Sequence, residues 1–303
     1  MARIAYVNGR YLPLHRGAVA IEDRGCQFAD GVYEVIKTVG GGPPLDLDRH
    51  LRRLERSLRE LRMKPPMARG AMLAVMRELL RRNGLRDAKI YVQISRGVAA
   101  RDQAFPTPGT RPSVVMTVRR AKWPSDEQRE RGVAVATAPD LRWKRCDIKS
   151  ISLLANVLHR QEAAERGCRE AWLYDEEGRV TEGSTSNAWI VDGGGRLLTH
   201  PTGPRILGGV TRDVVLELAR ADGIEVAERP FSLGEARGAR EAFLTSTTSW
   251  VLPVTRIDGR PVGDGRPGPV TRRLMRLYGD HVHHAPPAGG QGGGDRRPMA
   301  AAA

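Results

Sequence analysis

Lysine is nearly missing from this chain. Only six of its 49 basic residues are lysine (Lys37, Lys64, Lys89, Lys122, Lys144 and Lys149), and the other 43 are arginine. Where arginine has taken over every task that needs only a positive charge, each surviving lysine gains weight as a residue doing what arginine cannot, above all amine chemistry. Cysteine is scarcer still: Cys26, Cys146 and Cys168 are odd in number and have no C-x-x-C spacing. That excludes a disulfide framework and a zinc site, and three free thiols are expected. No run of 18 apolar residues occurs, which excludes a hydrophobic spanning helix. The first residues, MARIAYVNGRYLPL, lack the apolar stretch of a signal peptide. A cytoplasmic protein with no membrane partner is therefore expected. Aromatic residues make up only 5% of the chain.

What is present is 303 residues, 40% of them apolar, enough for about two domains with a substantial core. The net charge is +14. Such a charge raises a non-enzymatic alternative, a basic nucleic-acid-binding protein, which would show salt-sensitive retention on nucleic acid. Against it, the arginines are interspersed with acids, as in RHLRRLERSLRELR, and are not interleaved with aromatics. No nucleic-acid partner is expected, and an anionic substrate or phosphate-bearing cofactor accounts for part of the excess equally well. His281, His283 and His284 are close together, but in a tail of low complexity they are read as solvated side chains, and no metal site is assigned.

Periodicity gives the organisation. Residues 4 to 14 read as a hairpin turning at Asn8-Gly9, whose residues supply the positive φ angles of a tight turn. A strand over about 32–39 follows, then a helix marked by Leu51, Leu54, Leu58 and Leu61 with Asp46 or Asp48 as its cap. A second helix (about 67–83) and strands at 89–96 and 113–119 complete an N-terminal α+β domain, 1–120. AKWPSDEQRER, polar and without periodicity, is read as an interdomain linker over 121–131. The second domain, 132–282, begins with a strand (132–138) and a helix (153–166). Two hairpins over 170–199 turn at Asp175-Gly178 and Asp192-Gly195, and then come a helix at 210–221, strands at 225–228 and 241–246, and a closing helix at 268–279. Strands without strict βαβ alternation indicate an α+β fold. Residues 283–303 are read as a disordered tail.

Three segments carry candidate chemistry. Lys149, in CDIKSISLL between a strand and an apolar helix start, is flanked for burial, and a desolvated amine is the form that attacks a carbonyl. On this segment alone a surface lysine paired with Asp147 is an equal alternative. Gly208-Gly209 before Val210-Thr211 places free backbone N–H groups at a helix N-terminus, a seat for an anion or a phosphate. Thr245 to Ser249 adds hydroxyl donors, and Thr181 to Asn187 sets one acid, Glu182, in a turn of small polar residues.

The order of the motifs says more than any one of them. FADGVYEV, RHLRRL, RGVAARDQAFP, RCDIKS, VTEGSTSN, ILGGVTRD and LTSTTS follow one another along the chain. Together they resemble the D-amino-acid aminotransferase branch of the fold-type IV pyridoxal-phosphate enzymes, over about residues 3–280. The resemblance implies a two-domain α+β fold with pyridoxal 5'-phosphate between the domains, and a homodimer. It implies that Lys149 is the Schiff-base and proton-shuttling lysine and that Glu182 faces the pyridine nitrogen. It implies a phosphate cup of Arg53, Val210, Thr211 and Thr247, with Leu207 packed on the ring. Tyr33 and Arg101 match residues that bind the substrate carboxylate, Arg101 reaching across from the partner subunit. Gln103 stands where the family often has histidine, and Trp250 where relatives carry an acid. Lys37 also fits the family pattern, as a strand-edge charge or as a substrate contact. The implied reaction is transamination between a D-amino acid and a 2-oxo acid. Alternatives within the fold are a branched-chain L-amino-acid aminotransferase, an (R)-amine transaminase and an aminodeoxychorismate lyase.

Overall fold

The structure, a computed structural model, describes residues 3–284. The chain opens with the hairpin of β1 (Ile4–Val7) and β2 (Arg10–Pro13), with Asn8 at φ 46° and Gly9 at φ 90° as a tight turn requires. After a short helix α1 (Arg24–Phe28) come β3 (Gly31–Thr38), α2 (Leu47–Glu60), α3 (Arg69–Asn83), β4 (Ala88–Ser95) and β5 (Ser113–Arg120). The five strands form one antiparallel sheet in the order β2-β1-β5-β4-β3. Leu47, Leu51, Leu54 and Leu58 fall on one stripe of α2 and pack with Met72, Met76 and Leu79 of α3 over Ile36, Ile90, Val92 and Met116 of the sheet. Each of these side chains contributes about 1.5–3 kcal/mol by leaving water.

A connector containing α4 (Asp126–Arg131) leads to β6 (Val133–Pro139), α5 (Leu154–Glu165), β7 (Glu170–Tyr174), β8 (Arg179–Gly183), β9 (Asn187–Val191) and β10 (Leu197–Thr199). Then follow α6 (Val210–Ala221), β11 (Val226–Glu228), β12 (Phe231–Ser232), α7 (Leu233–Arg237), β13 (Glu241–Ser246), β14 (Trp250–Ile257), β15 (Arg260–Pro261) and α8 (Pro269–His284). The second sheet has the order β11-β10-β9-β13-β14-β6-β7-β8-β12, with β15 paired to β14. Its central strands are covered on both faces, which explains why β9 is apolar without a break after Asn187. Ala188 and Ile190 join one core and Trp189 and Val191 the other, where they meet α6 and α8.

Several expectations from the sequence need correction. Within the segment 121–131, Ser125 and Gln128 form a reciprocal capping box that starts α4, an element the sequence reading does not assign. The sequence reading assigns no element at 250–257, yet β14 lies there between β13 and β6, with Pro253 opposite Phe243. Asp46 precedes α2 in a left-handed conformation with no side-chain cap bond, and its carboxylate instead meets His281 Nε2 at 3.0 Å. That contact belongs to α8, which continues to His284, past the expected start of the tail at residue 283. The rest of the expected tail, 285–303, lies outside the described residues. All three cysteines are free. Among the described residues no helix is long and apolar enough to cross a membrane.

Candidate active site

Strand β3, helix α2, the loop before α5, the β8–β9 turn, the N-terminus of α6 and the β13–β14 turn converge on one cavity of about 510 Å³. Tyr33, Arg53, Lys149, Glu182, Leu207, Val210, Thr211 and Thr247 all line it. The fold thus brings together eight residues that the resemblance assigns to catalysis or binding, leaving out Arg101 and Gln103, and these eight span up to 214 positions of sequence. A cavity of this size accommodates a cofactor or a small ligand.

Lys149 is held by its backbone. Its N–H donates to Ser57 Oγ at 3.1 Å and its carbonyl accepts from Tyr33 N–H at 2.9 Å. The alternative pairing with Asp147 is not made, because Asp147 is taken by Arg56 at 2.6 Å and Arg145 at 3.0 Å. The Lys149 amine instead stands 4.1 Å from the centre of the Tyr33 ring, half-buried and facing the cavity.

Glu182 is buried on β8. One carboxylate oxygen accepts from Asn187 Nδ2 and from the Leu207 N–H, both at 3.0 Å, and the other is in close contact with Arg142 Nη1. Burial pushes the Glu182 carboxyl up, against the pull of the Arg142 guanidinium and the Leu207 N–H. Arg142 is aligned in turn by Asp140, with bonds of 2.9 and 2.7 Å, and Thr181 Oγ1 donates to the same aspartate at 2.8 Å. The result is a carboxylate fixed in orientation by Asn187, Leu207 and Arg142 together.

A cationic and hydroxyl-rich region forms another part of the cavity wall. Arg53 donates to both oxygens of Glu34, at 2.6 and 3.1 Å, and to the Gly208 carbonyl at 3.0 Å. Burial alone would raise the Glu34 pKa, but Arg53 and His50 hold that carboxyl well below the usual range. The N-terminus of α6 has no side-chain cap, so its first N–H groups remain available beside Val210 and Thr211. Gly209 precedes them. A Cβ there would come within 2.0 Å of Asn187 Oδ1. Gly209→Ala is therefore expected to displace Asn187 and cost about 1–3 kcal/mol, read as a lower melting temperature than that of the native chain.

Arg101 and Gln103 do not line this cavity. They lie on the exposed loop between β4 and β5, where the Arg101 guanidinium sits 4.8 Å from the Phe28 ring. Arg24, against the same ring at 4.8 Å, donates to the carbonyls of Asp102 and Gln103 at 2.5 and 3.3 Å and so shapes the loop. Lys37, expected as a strand-edge charge or a substrate contact, is buried and does not line the cavity. Sequence reasoning misses Arg142, Asp140 and Asn187, although RWKRCD and the end of STSN carry the first and last of them.

Comparison with known proteins decides the family. The family model described as amino-transferase class IV matches residues 31–257. This chain belongs to the class IV aminotransferases. A protein of Staphylococcus haemolyticus named D-alanine aminotransferase is 36% identical over 277 residues, covering 91% of this chain and 97% of its own. One of the same name from Bacillus licheniformis is 40% identical over 268 residues, or 88% and 93% of the two chains. Among solved structures, the branched-chain amino acid aminotransferase of Thermobaculum terrenum in its PLP form superposes with a TM-score of 0.79 at 27% identity, over 93% of this chain and 94% of that one. The Escherichia coli branched-chain enzyme gives 0.81 at 26%, over 92% and 93%. This class IV aminotransferase accordingly has the two-domain α+β architecture of fold type IV.

Proposed function

We propose that this aminotransferase binds pyridoxal 5'-phosphate in the cavity and exchanges the amino group between a D-amino acid such as D-alanine and a 2-oxo acid such as 2-oxoglutarate. The observation that carries this reading is the convergence on one cavity of a free amine, a fixed buried carboxylate and an oxyanion seat. The residues present fit the cofactor. Lys149 Nζ would hold it covalently, Glu182 would face its ring nitrogen and keep a proton there, and Leu207 would pack on the ring. Arg53, Thr211, Thr247 and the N–H groups of Val210 and Thr211 would take its phosphate, in a cradle that Gly209 leaves clear of any Cβ. When bound, the cofactor supplies an electron sink for the pair left at the substrate Cα.

The protein's own part is then positioning and proton transfer. Tyr33 orients the substrate carboxylate at the cavity, and Lys149 Nζ, working from one side only, removes the Cα proton. Arg142 and Asp140 keep the Glu182 carboxylate aimed. Arg101 and Gln103 lie outside their own chain's cavity, which supports the reading that they serve the partner's site in a homodimer. Exposed apolar side chains support the same assembly: Leu154, Val157 and Leu158 lie together on one face of α5, beside the cavity. The interdomain boundary at 121–131 and a cytoplasmic setting, consistent with three free thiols, belong to the same reading.

The D-side assignment rests on relatives at 36–40% identity named D-alanine aminotransferases. The branched-chain enzymes superpose as well, and they favour a second reading on L-amino acids. Steady-state turnover separates these readings from a lyase. With D-alanine, pyruvate release beyond the first equivalent per cofactor is expected to require added 2-oxoglutarate and to yield glutamate in equal amount. Turnover with L-leucine in place of D-alanine would support the second reading, and continuous pyruvate release from an aminodeoxychorismate without an acceptor would replace transamination altogether.

A further inference from the structure

Lys37 is a buried ionisable group that the site described above leaves unused. It lies on β3 with 1% of its surface exposed, and its register partner on β4 is another cation, Lys89. The charged groups facing it are Lys89 and Arg169, the latter in the turn before β7, and both are positive. Burial, with those two cations, lowers the Lys37 pKa to about 7. Its amine lies 3.5 Å from the centre of the Trp123 ring and 5.9 Å from that of Trp250, and it donates to the Thr248 carbonyl at 2.9 Å. That carbonyl belongs to the turn whose Thr247 faces the cavity.

Behind the turn the contacts continue. Trp250 has a left-handed φ of 58°, which a bulky residue keeps only when its surroundings impose it. Its ring lies between Trp123 at 4.7 Å and Tyr278 at 5.9 Å. The Tyr278 hydroxyl lies against Thr211. An unbroken line of contacts thus backs both threonines of the oxyanion seat, with Lys37 at one end. On the far side of the turn, Arg169 donates to Ser249 Oγ at 3.1 Å.

We propose that Lys37 is a positioning residue that holds the Thr247–Thr248 turn against the cofactor phosphate, as the cationic end of a row of tilted aromatic rings that also backs Thr211. This rests on the pyridoxal-phosphate reading above. Lys37 touches neither cofactor nor substrate and acts through the Thr248 carbonyl. Its proton matters: the ammonium is attracted to the Trp123 face, whereas the neutral amine keeps only a weaker N–H donor. Grip on the cofactor is therefore expected to loosen as pH rises through about 7. Folding stability moves in the opposite direction. The folded-state pKa lies below the ordinary 10.5, so the unfolded chain binds the extra proton between the two values and stability rises with pH across that window.

The test measures pyridoxal phosphate dissociation from the native chain, Lys37→Met and Lys37→Arg at about pH 6 and about pH 8.5. In parallel, the tryptophan fluorescence of cofactor-free protein is titrated. The native chain should release cofactor several-fold more readily at the higher pH. Lys37→Met should bind about tenfold more weakly at the lower pH and lose the pH dependence. Lys37→Arg, whose side chain does not titrate, should also be flat, and decides the matter if Lys37→Met fails to fold. The native fluorescence should titrate near pH 7 and the variants should not. A folded Lys37→Met with native affinity at both pH values, or a Lys37→Arg with the native pH profile, would overturn the proposal. A native chain that holds no cofactor would instead overturn the reading beneath it, and the fluorescence titration would still decide whether Lys37 carries a titrating proton on Trp123.

Discussion

Lys149→Ala is expected to lower turnover by about four orders of magnitude, the upper end of what a positioned acid–base group contributes, and to abolish the visible band that the link between this lysine and the cofactor gives. Lys149 is the one lysine among the residues lining the cavity, so no second amine stands ready to replace it. The loss should be chemical and not structural. Lys149 is tied into the fold through its own N–H and carbonyl, to Ser57 and Tyr33, and alanine keeps both bonds. Its side chain is only half-buried, so unfolding stability should change by no more than about 0.5 kcal/mol. Turnover within tenfold of the native rate, in a variant that still shows the visible band, would remove Lys149 from the role assigned to it.

Arg142→Met should have the largest effect on stability. The guanidinium and both its carboxylate partners are almost wholly shielded, with side-chain exposures of 6% for Arg142, 6% for Glu182 and 12% for Asp140. Removing one member of a buried ionic cluster leaves the others charged and unpaired, at a cost of about 3–5 kcal/mol. Urea unfolding of the cofactor-free variant at neutral pH measures it. The Glu182 carboxyl, already pushed up by burial, should rise further once the guanidinium is gone, so the stability deficit should shrink below neutral pH as protonation relieves the charge. Adding Glu182→Gln should recover part of the loss. Recovery stays partial because Asp140 has lost the same partner, and the non-additivity itself measures the coupling. A loss under about 1 kcal/mol for Arg142→Met would show that water, and not the protein, solvates this carboxylate.

The parts of the site that were legible in the sequence are those whose chemistry is local. Gly208-Gly209 before Val210-Thr211 announces a helix N-terminus open to an anion, and Lys149 stands out because lysine is so rare in this chain. The supporting residues were hidden for a different reason. In a chain with 43 arginines, nothing local distinguishes Arg142 from its neighbours. Its importance comes from Glu182, 40 positions away, and Glu34 acquires its role from Arg53 in the same way. Arginine-rich composition also raised the nucleic-acid alternative, yet the fold spends many of those charges on internal pairs such as Arg49 with Glu217 and Arg69 with Glu55. Among elements, α2, α6 and the hairpins followed from periodicity and turn residues. The strand β14 did not: the sequence reading passes from the strand at 241–246 to the closing helix, and the place of β14 is set by long-range pairing with β13 and β6.

One spectrum tests the central claim most directly. The purified chain, loaded with pyridoxal phosphate, is mixed with D-alanine alone or with L-leucine alone, and the visible band is followed together with the oxo acid released. The account predicts that D-alanine bleaches the band with one pyruvate released per bound cofactor, and that later addition of 2-oxoglutarate restores it, while L-leucine does neither. Bleaching by L-leucine and not by D-alanine would keep the cofactor and overturn the substrate. A chain that shows no visible band even with added pyridoxal phosphate would contradict the account at its root.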